Sequence, residues 1–106
     1  MENKGKPRVI TDFEKLSDDI QQQIKMVYPY GFSQHLISFT NKDGMNIKGL
    51  RFEVEEKIYL IRMSVAEADE IIDQDEDFDD DGNLKDDVKD EYEDKYSDLD
   101  LSELNE

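Results

Sequence analysis

Residues 77–88 read DFDDDGNLKDDV, with aspartates at alternate positions. Aspartate oxygens suit hard divalent cations. With Gly82 at the sixth place of a twelve-residue calcium loop, Asp77, Asp79 and Asp81 fall at the first, third and fifth, where such a loop places ligands. Leu84, at the eighth, suits the short apolar contact these loops make. The twelfth place should carry a glutamate that contributes two oxygens, but here it is Val88, which has no donor atom. The pattern is half of a site. A segment this rich in aspartate produces the spacing readily, so diffuse attraction of cations is expected, with a calcium-responsive loop on Asp77, Asp79 and Asp81 as the alternative.

Other site chemistry has few residues to draw on. His35 is the only histidine and there is no cysteine. A zinc site would therefore depend on carboxylates, and thiolate ligands and disulfides are excluded. No phosphate-cradling glycine loop, nucleophile elbow or H-E-x-x-H pattern occurs. No acid, base and nucleophile set presents itself, so no catalytic residue and no cofactor is assigned. The expectation is a non-enzymatic protein; a small enzyme whose missing groups come from a partner chain is the remaining enzymatic reading.

Charge is the strongest bulk signal. The 106 residues carry a formal charge of −16, distributed unevenly. Residues 1–66 hold 10 Lys/Arg against 9 Asp/Glu, whereas residues 67–106 hold 3 Lys against 20 Asp/Glu. Such a field repels nucleic acid and anionic membranes and attracts basic protein surfaces, including those of nucleic-acid-binding machinery. The N-terminus lacks the apolar run of a signal peptide, and nothing approaches the ~18 apolar residues of a membrane span. A cytoplasmic protein is expected.

The elements follow from periodicity. Residues 1–10, with Lys4, Lys6 and Arg8 around Gly5 and Pro7, read as a flexible basic arm. Phe13, Leu16, Ile20, Ile24 and Val27 recur at helical steps, so a helix is expected there. Thr11 with Glu14 forms one candidate cap, and Ser17 before Asp18 and Asp19 a competing start. Pro29 and Gly31 end the helix. HLISFT, the segment from about Met45 to Val54, and KIYLIRMS then read as three strands, with NKDG as the first turn. Ile47 lies out of phase with Leu50, Phe52 and Val54, which predicts a bulge or bend near Gly49. Ser64 and Glu67 cap a short second helix that carries Val65, Ala68 and Ile72.

The predicted fold is therefore α+β. The α+β domain spans residues 11–73: a three-stranded antiparallel meander with an N-terminal helix packed on it and a short C-terminal helix. Residues 74–106 read as a disordered acidic tail. Within it Leu84, Val88, Tyr92 and Tyr96 recur every four residues, so a conditional amphipathic helix over 83–97 would present them as anchors to a partner's groove.

The densest aromatic patch is YPYGF, containing Tyr28, Tyr30 and Phe32. Its structural reading is a turn whose rings cover the core edge. Its functional reading is a binding surface, and with Arg8, Lys25, Lys42 and Lys48 it would make an aromatic and basic patch for nucleic acid. The near-neutral balance of residues 1–66 argues against direct nucleic-acid contact.

The helix ending in YPYGF, the hairpin, EVEEKIYLIRMS and the Asp/Glu-rich C-terminus together resemble small bacterial proteins with acidic tails, a likeness that covers most of the chain and implies no function. The layout of small head and acidic tail also resembles, in organisation only, the delta subunit of bacterial RNA polymerase. That subunit has a winged-helix type head, whereas three consecutive strands dominate here, so no residue role is carried over. The leading expectation is an accessory or protein-interaction module. Its head docks on a protein, and its tail engages or shields a basic surface of transcription or translation machinery. The carboxylates from Asp73 to Asp81 act collectively in this reading.

Overall fold

A computed structural model describes residues 6–97 of the chain. Arg8–Asp12 forms β1, Asp18–Val27 α1, Ile37–Thr40 β2, Asn46–Glu53 β3, Ile58–Arg62 β4, Val65–Gln74 α2 and Asp86–Lys95 α3. The architecture is α+β, with a four-stranded mixed sheet in the order β1-β4-β3-β2.

The antiparallel β2-β3-β4 meander is present, but the sheet has a fourth strand. Residues 8–10, expected in a flexible arm, belong to β1, which pairs parallel to β4 from Arg8↔Ile58 to Asp12↔Arg62. Two features draw it in. VIT is β-branched throughout, and Arg62 donates from Nε and a terminal nitrogen to the two oxygens of Asp12, at 3.0 and 3.1 Å, across the strand pair. The Thr11–Glu14 cap does not form, because Thr11 lies within the strand.

The competing start is the one used. Ser17 caps α1 by accepting from the Ile20 amide at 3.3 Å, and Asp18 and Asp19 favour the positive end of the helix dipole. Phe13 and Leu16 still pack on the core, but from a 3₁₀ turn before the helix. α1 stops at Val27, and Gly31 then takes φ +106°, a conformation that glycine tolerates and other residues rarely adopt.

No bulge occurs at Gly49. It pairs with Ile37 on one side and Arg62 on the other, without an inserted residue. The change of phase has another cause: β3 contributes apolar residues to both faces of the sheet. Leu50 and Phe52 point to the helices, while Gly49 lies under the Phe39 ring on the other face. A Cβ at Gly49 would collide with the Ile61 carbonyl and that ring. β4 likewise buries Ile61 on the helical side and Ile58 and Leu60 on the other, as its nearly unbroken apolar sequence predicts.

Ser64 and Glu67 form the reciprocal capping box at the start of α2. Ala68 and Ile72 are buried, but Val65 is exposed. The largest departure from expectation lies beyond Gln74, where residues 75–97 form a compact loop and a packed helix rather than a disordered tail. Phe78 and Leu84 join Ile24, Val27, Phe32, Leu50, Phe52, Ile61, Met63, Ala68 and Ile72 in one core. Overall acidity suggests disorder, yet a few well-spaced apolar residues suffice to dock the segment once a buried cation receives its carboxylates. That cation is Lys25.

Candidate interaction surface

Lys25 lies on α1, only 8% exposed. Its ammonium meets Asp75 Oδ2 at 2.6 Å and Asp77 Oδ2 at 3.0 Å, so the first carboxylates after α2 fold back onto α1. Burial alone pushes the Lys25 ammonium toward neutrality, but hydrogen bonds and attraction from Asp75 and Asp77 outweigh it and the pKa is raised. For Asp77, burial pushes the pKa up. The Tyr92 hydroxyl, donating at 2.6 Å, and Lys25 more than reverse this, so the carboxyl titrates below the usual range. The same contact keeps Tyr92 protonated: burial and the Asp77 charge both raise its pKa.

Residues 77–85 form a tight antiparallel turn. Phe78 bridges to Leu84, Asp79 and Asn83 bond through their backbones at 2.8 Å, and Lys85 donates to Asp77 at 2.9 Å. Gly82 takes φ +83° at the turn, while Asp79 Oδ1 accepts from the Asp81 and Asn83 amides, each at 2.9 Å. The Leu84 amide donates to the Pro29 carbonyl at 2.7 Å and ties the turn to the end of α1.

The three aspartates of the half calcium pattern are thus placed apart in role. Asp77 binds an ammonium and a phenol, Asp79 shapes the turn, and Asp81 is exposed. Among the described residues no group of three or more carboxylate or histidine side chains is arranged to hold a metal ion. Calorimetric titration with calcium tests the loop reading directly, because Asp77 would have to leave Lys25 and Tyr92 to serve as a ligand. A stoichiometric isotherm abolished by Asp79→Asn would support the calcium reading, and the absence of saturable heat would remove it.

Leu84, Val88, Tyr92 and Tyr96 do line up, but inward. Leu84, Tyr92 and Tyr96 are buried and Val88 packs on the core. Tyr96 Oη lies within hydrogen-bond reach of Asp19 at 3.0 Å and Gln22 at 2.8 Å, and Lys95 donates to Gln22 at 2.9 Å. These anchors hold α3 on α1. Of the aromatic patch, Phe32 is core, and Tyr28 donates from its hydroxyl to the Arg51 carbonyl at 2.6 Å. Only Tyr30, 64% exposed, remains available, beside Lys85 and Lys89 in a cleft with Asp79 and Asp86. His35 sits in a 3₁₀ turn with its ring 4.9 Å from that of Tyr28.

What remains outside is charge. Every acidic residue from Glu67 to Asp94 is exposed except Asp75 and Asp77, the two that meet Lys25. α2, the 79–81 turn and α3 therefore carry their carboxylates at fixed positions on the helical side of the sheet. A wider cleft between β1 and α2 continues this acidity with Asp12, Glu14, Glu67 and Glu70 around Arg62. Its groups are already committed in part. Asp12 is held below the usual carboxylate range, chiefly by its hydrogen bonds with Arg62, and Glu67 closes the capping box.

Sequence reasoning missed the role of Lys25 and of Phe78. A signal existed for the second: one aromatic residue within DEDFDDD is hard to account for in a solvated tail. Among the described residues no helix is long and apolar enough to cross a membrane. Comparison with family models, with curated proteins and with solved structures gives no match.

Proposed function

We propose that the protein is a non-enzymatic accessory module whose acidic helical surface engages or shields a basic, nucleic-acid-binding surface of a protein partner, of the kind found in transcription or translation machinery. The observation that carries this reading is that the exposed carboxylates of α2, the turn and α3 are anchored to one folded body by Phe78, Leu84, Tyr92 and Tyr96. Charges held in place favour one complementary surface and lose less entropy on binding than a free tail does. The same field disfavours direct contact with nucleic acid.

Removing residues 74–106 does not test this, because it also removes part of the core. Neutralising exposed carboxylates does. With Asp69→Asn, Asp73→Asn, Asp90→Asn and Glu93→Gln combined, the fold should persist while affinity for a basic partner protein recovered by affinity purification with the full chain falls on the order of tenfold at physiological salt. The wild-type complex should be released by excess RNA or DNA. Binding that ignores both the four substitutions and the competitor would sink the proposal.

A further inference from the structure

The sheet ends at β2, whose outer edge pairs with no other strand among the described residues. Its hydrogen-bonding groups can be assigned from the register. Asn41 donates to the Met45 carbonyl at 3.0 Å, so along the strand the backbone groups of Ile37 and Phe39 bond to β3, and those of Ser38 and Thr40 point away from it. No described residue bonds to these outward groups. Leu36, at φ −70° and ψ 141°, continues the extended run.

Such an edge is normally protected by charge, proline or a bulge. β1, at the opposite edge, carries Arg8 and Asp12; β2 reads ISFT and has none of these devices. Ile37 is also 41% exposed. Charge favours the same place. Residues 30–50 contain Lys42 and Lys48 against Asp43 alone, in a chain of −16, so this edge is where two copies meet with least repulsion.

We propose that β2 pairs with β2 of a second copy, antiparallel about a twofold axis, so that two four-stranded sheets become one. With Ser38 opposite Ser38, the outward groups of Leu36 meet those of Thr40, and Ile37 lies beside Phe39 of the other copy on the same face. Centring the pair on Phe39 would instead set Ile37 against the polar Asn41. The chosen register also brings Lys42 of one copy to the end of the sheet where α2 of the other packs on residues 33–35 and carries its carboxylates. Pairing uses up the edge and so stops at two copies, while the acidic helical side keeps them apart elsewhere.

One short strand per copy makes an interface below about 1,200 Å², which fits a dissociation constant of ~10–100 µM. Sedimentation velocity of the full chain from about 5 to 500 µM, a range that brackets this affinity, should show a monomer giving way to a dimer. Added salt should tighten the dimer by screening the two like-charged chains. Amide exchange at Ser38 and Thr40 should slow with concentration, while Ile37 and Phe39, already bonded to β3, change little. Ser38→Pro deletes an outward N–H without touching the β2-β3 ladder, and Ile37→Lys places a charge at an exposed site. Each should weaken the dimer about tenfold or more and leave the monomer's melting temperature close to wild type. A chain that stays monomeric over the whole range, a dimer that neither substitution weakens, or growth beyond two copies would each overturn the proposal.

Discussion

A chain ended at Gln74 is expected to lose cooperative unfolding, although it keeps β1–β4, α1 and α2 and lacks, among the described elements, only α3. Phe78 and Leu84 are buried in the same cluster as Ile24, Phe32 and Ile72, and burying side chains of this kind contributes about 1.5–3 kcal/mol each. Their loss, with that of Tyr92 and Tyr96, is comparable to the whole stability of a small domain, about 5–15 kcal/mol. The truncation also leaves Lys25 in its apolar surroundings without either carboxylate partner. Thermal melts followed by near-ultraviolet dichroism would check this. Phe78→Ala in the full chain gives the graded version, an expected loss of about 3–5 kcal/mol. A truncated chain that melts sharply at the wild-type temperature would show that residues 75–97 are an ornament on a complete domain.

Lys25→Met is expected to lower stability by about 3 kcal/mol or more, since it leaves two neighbouring carboxylates partly buried without their cation. In a domain of this size that corresponds to a fall in melting temperature of about 15 °C. Adding Asp75→Asn and Asp77→Asn should recover part of the loss, which separates the charge effect from loss of packing by the lysine stem. The same cluster sets an acid limit. Because the Asp77 carboxyl titrates lower in the folded chain than its ordinary value of 3.8, its contribution is complete above that pH and is lost as pH falls through the folded value. Lys25 works in the other direction: its raised pKa makes its contribution complete below 10.5 and lost only as pH rises past the folded value. Acid unfolding of the wild type should therefore shift when Asp77→Asn is introduced. A Lys25→Met protein that melts within a degree or two of wild type would remove the cluster from the stability argument.

Much of the folded architecture was legible because local signals and tertiary placement agree. Ser17, Pro29, Gly31, Ser64 and Glu67 mark helix ends through backbone chemistry that needs no distant partner. The β2-β3-β4 strands could be read from alternation and turn residues. β1 was not legible, since a parallel edge strand is confirmed only by β4, far along the chain. Residues 75–97 were misread for a related reason. Their average composition argues for solvation, and what overrides it is one lysine on α1 and apolar residues spaced too widely to dominate any window. For the candidate surface, sequence correctly identified the acidic region, but it treated Leu84, Val88, Tyr92 and Tyr96 as contacts for another molecule. Helical spacing specifies a shared face; it does not say whose core that face will enter.

The pairing of β1 with β4 has a consequence for how the chain acquires its shape during synthesis. Asp12 and Arg62, joined across a separation of 50 residues, cannot meet until β4 has emerged, and α1 gains its carboxylates and α3 only after the meander is complete. Contacts this distant in sequence slow the search for the native state. An N-terminal portion leaving the ribosome would therefore display Phe32 and Ile24 without their later partners, an interval in which nascent chains are vulnerable to aggregation. Residues 75–97 close the core after the sheet is made, and by then supply the charge that keeps neighbouring copies apart.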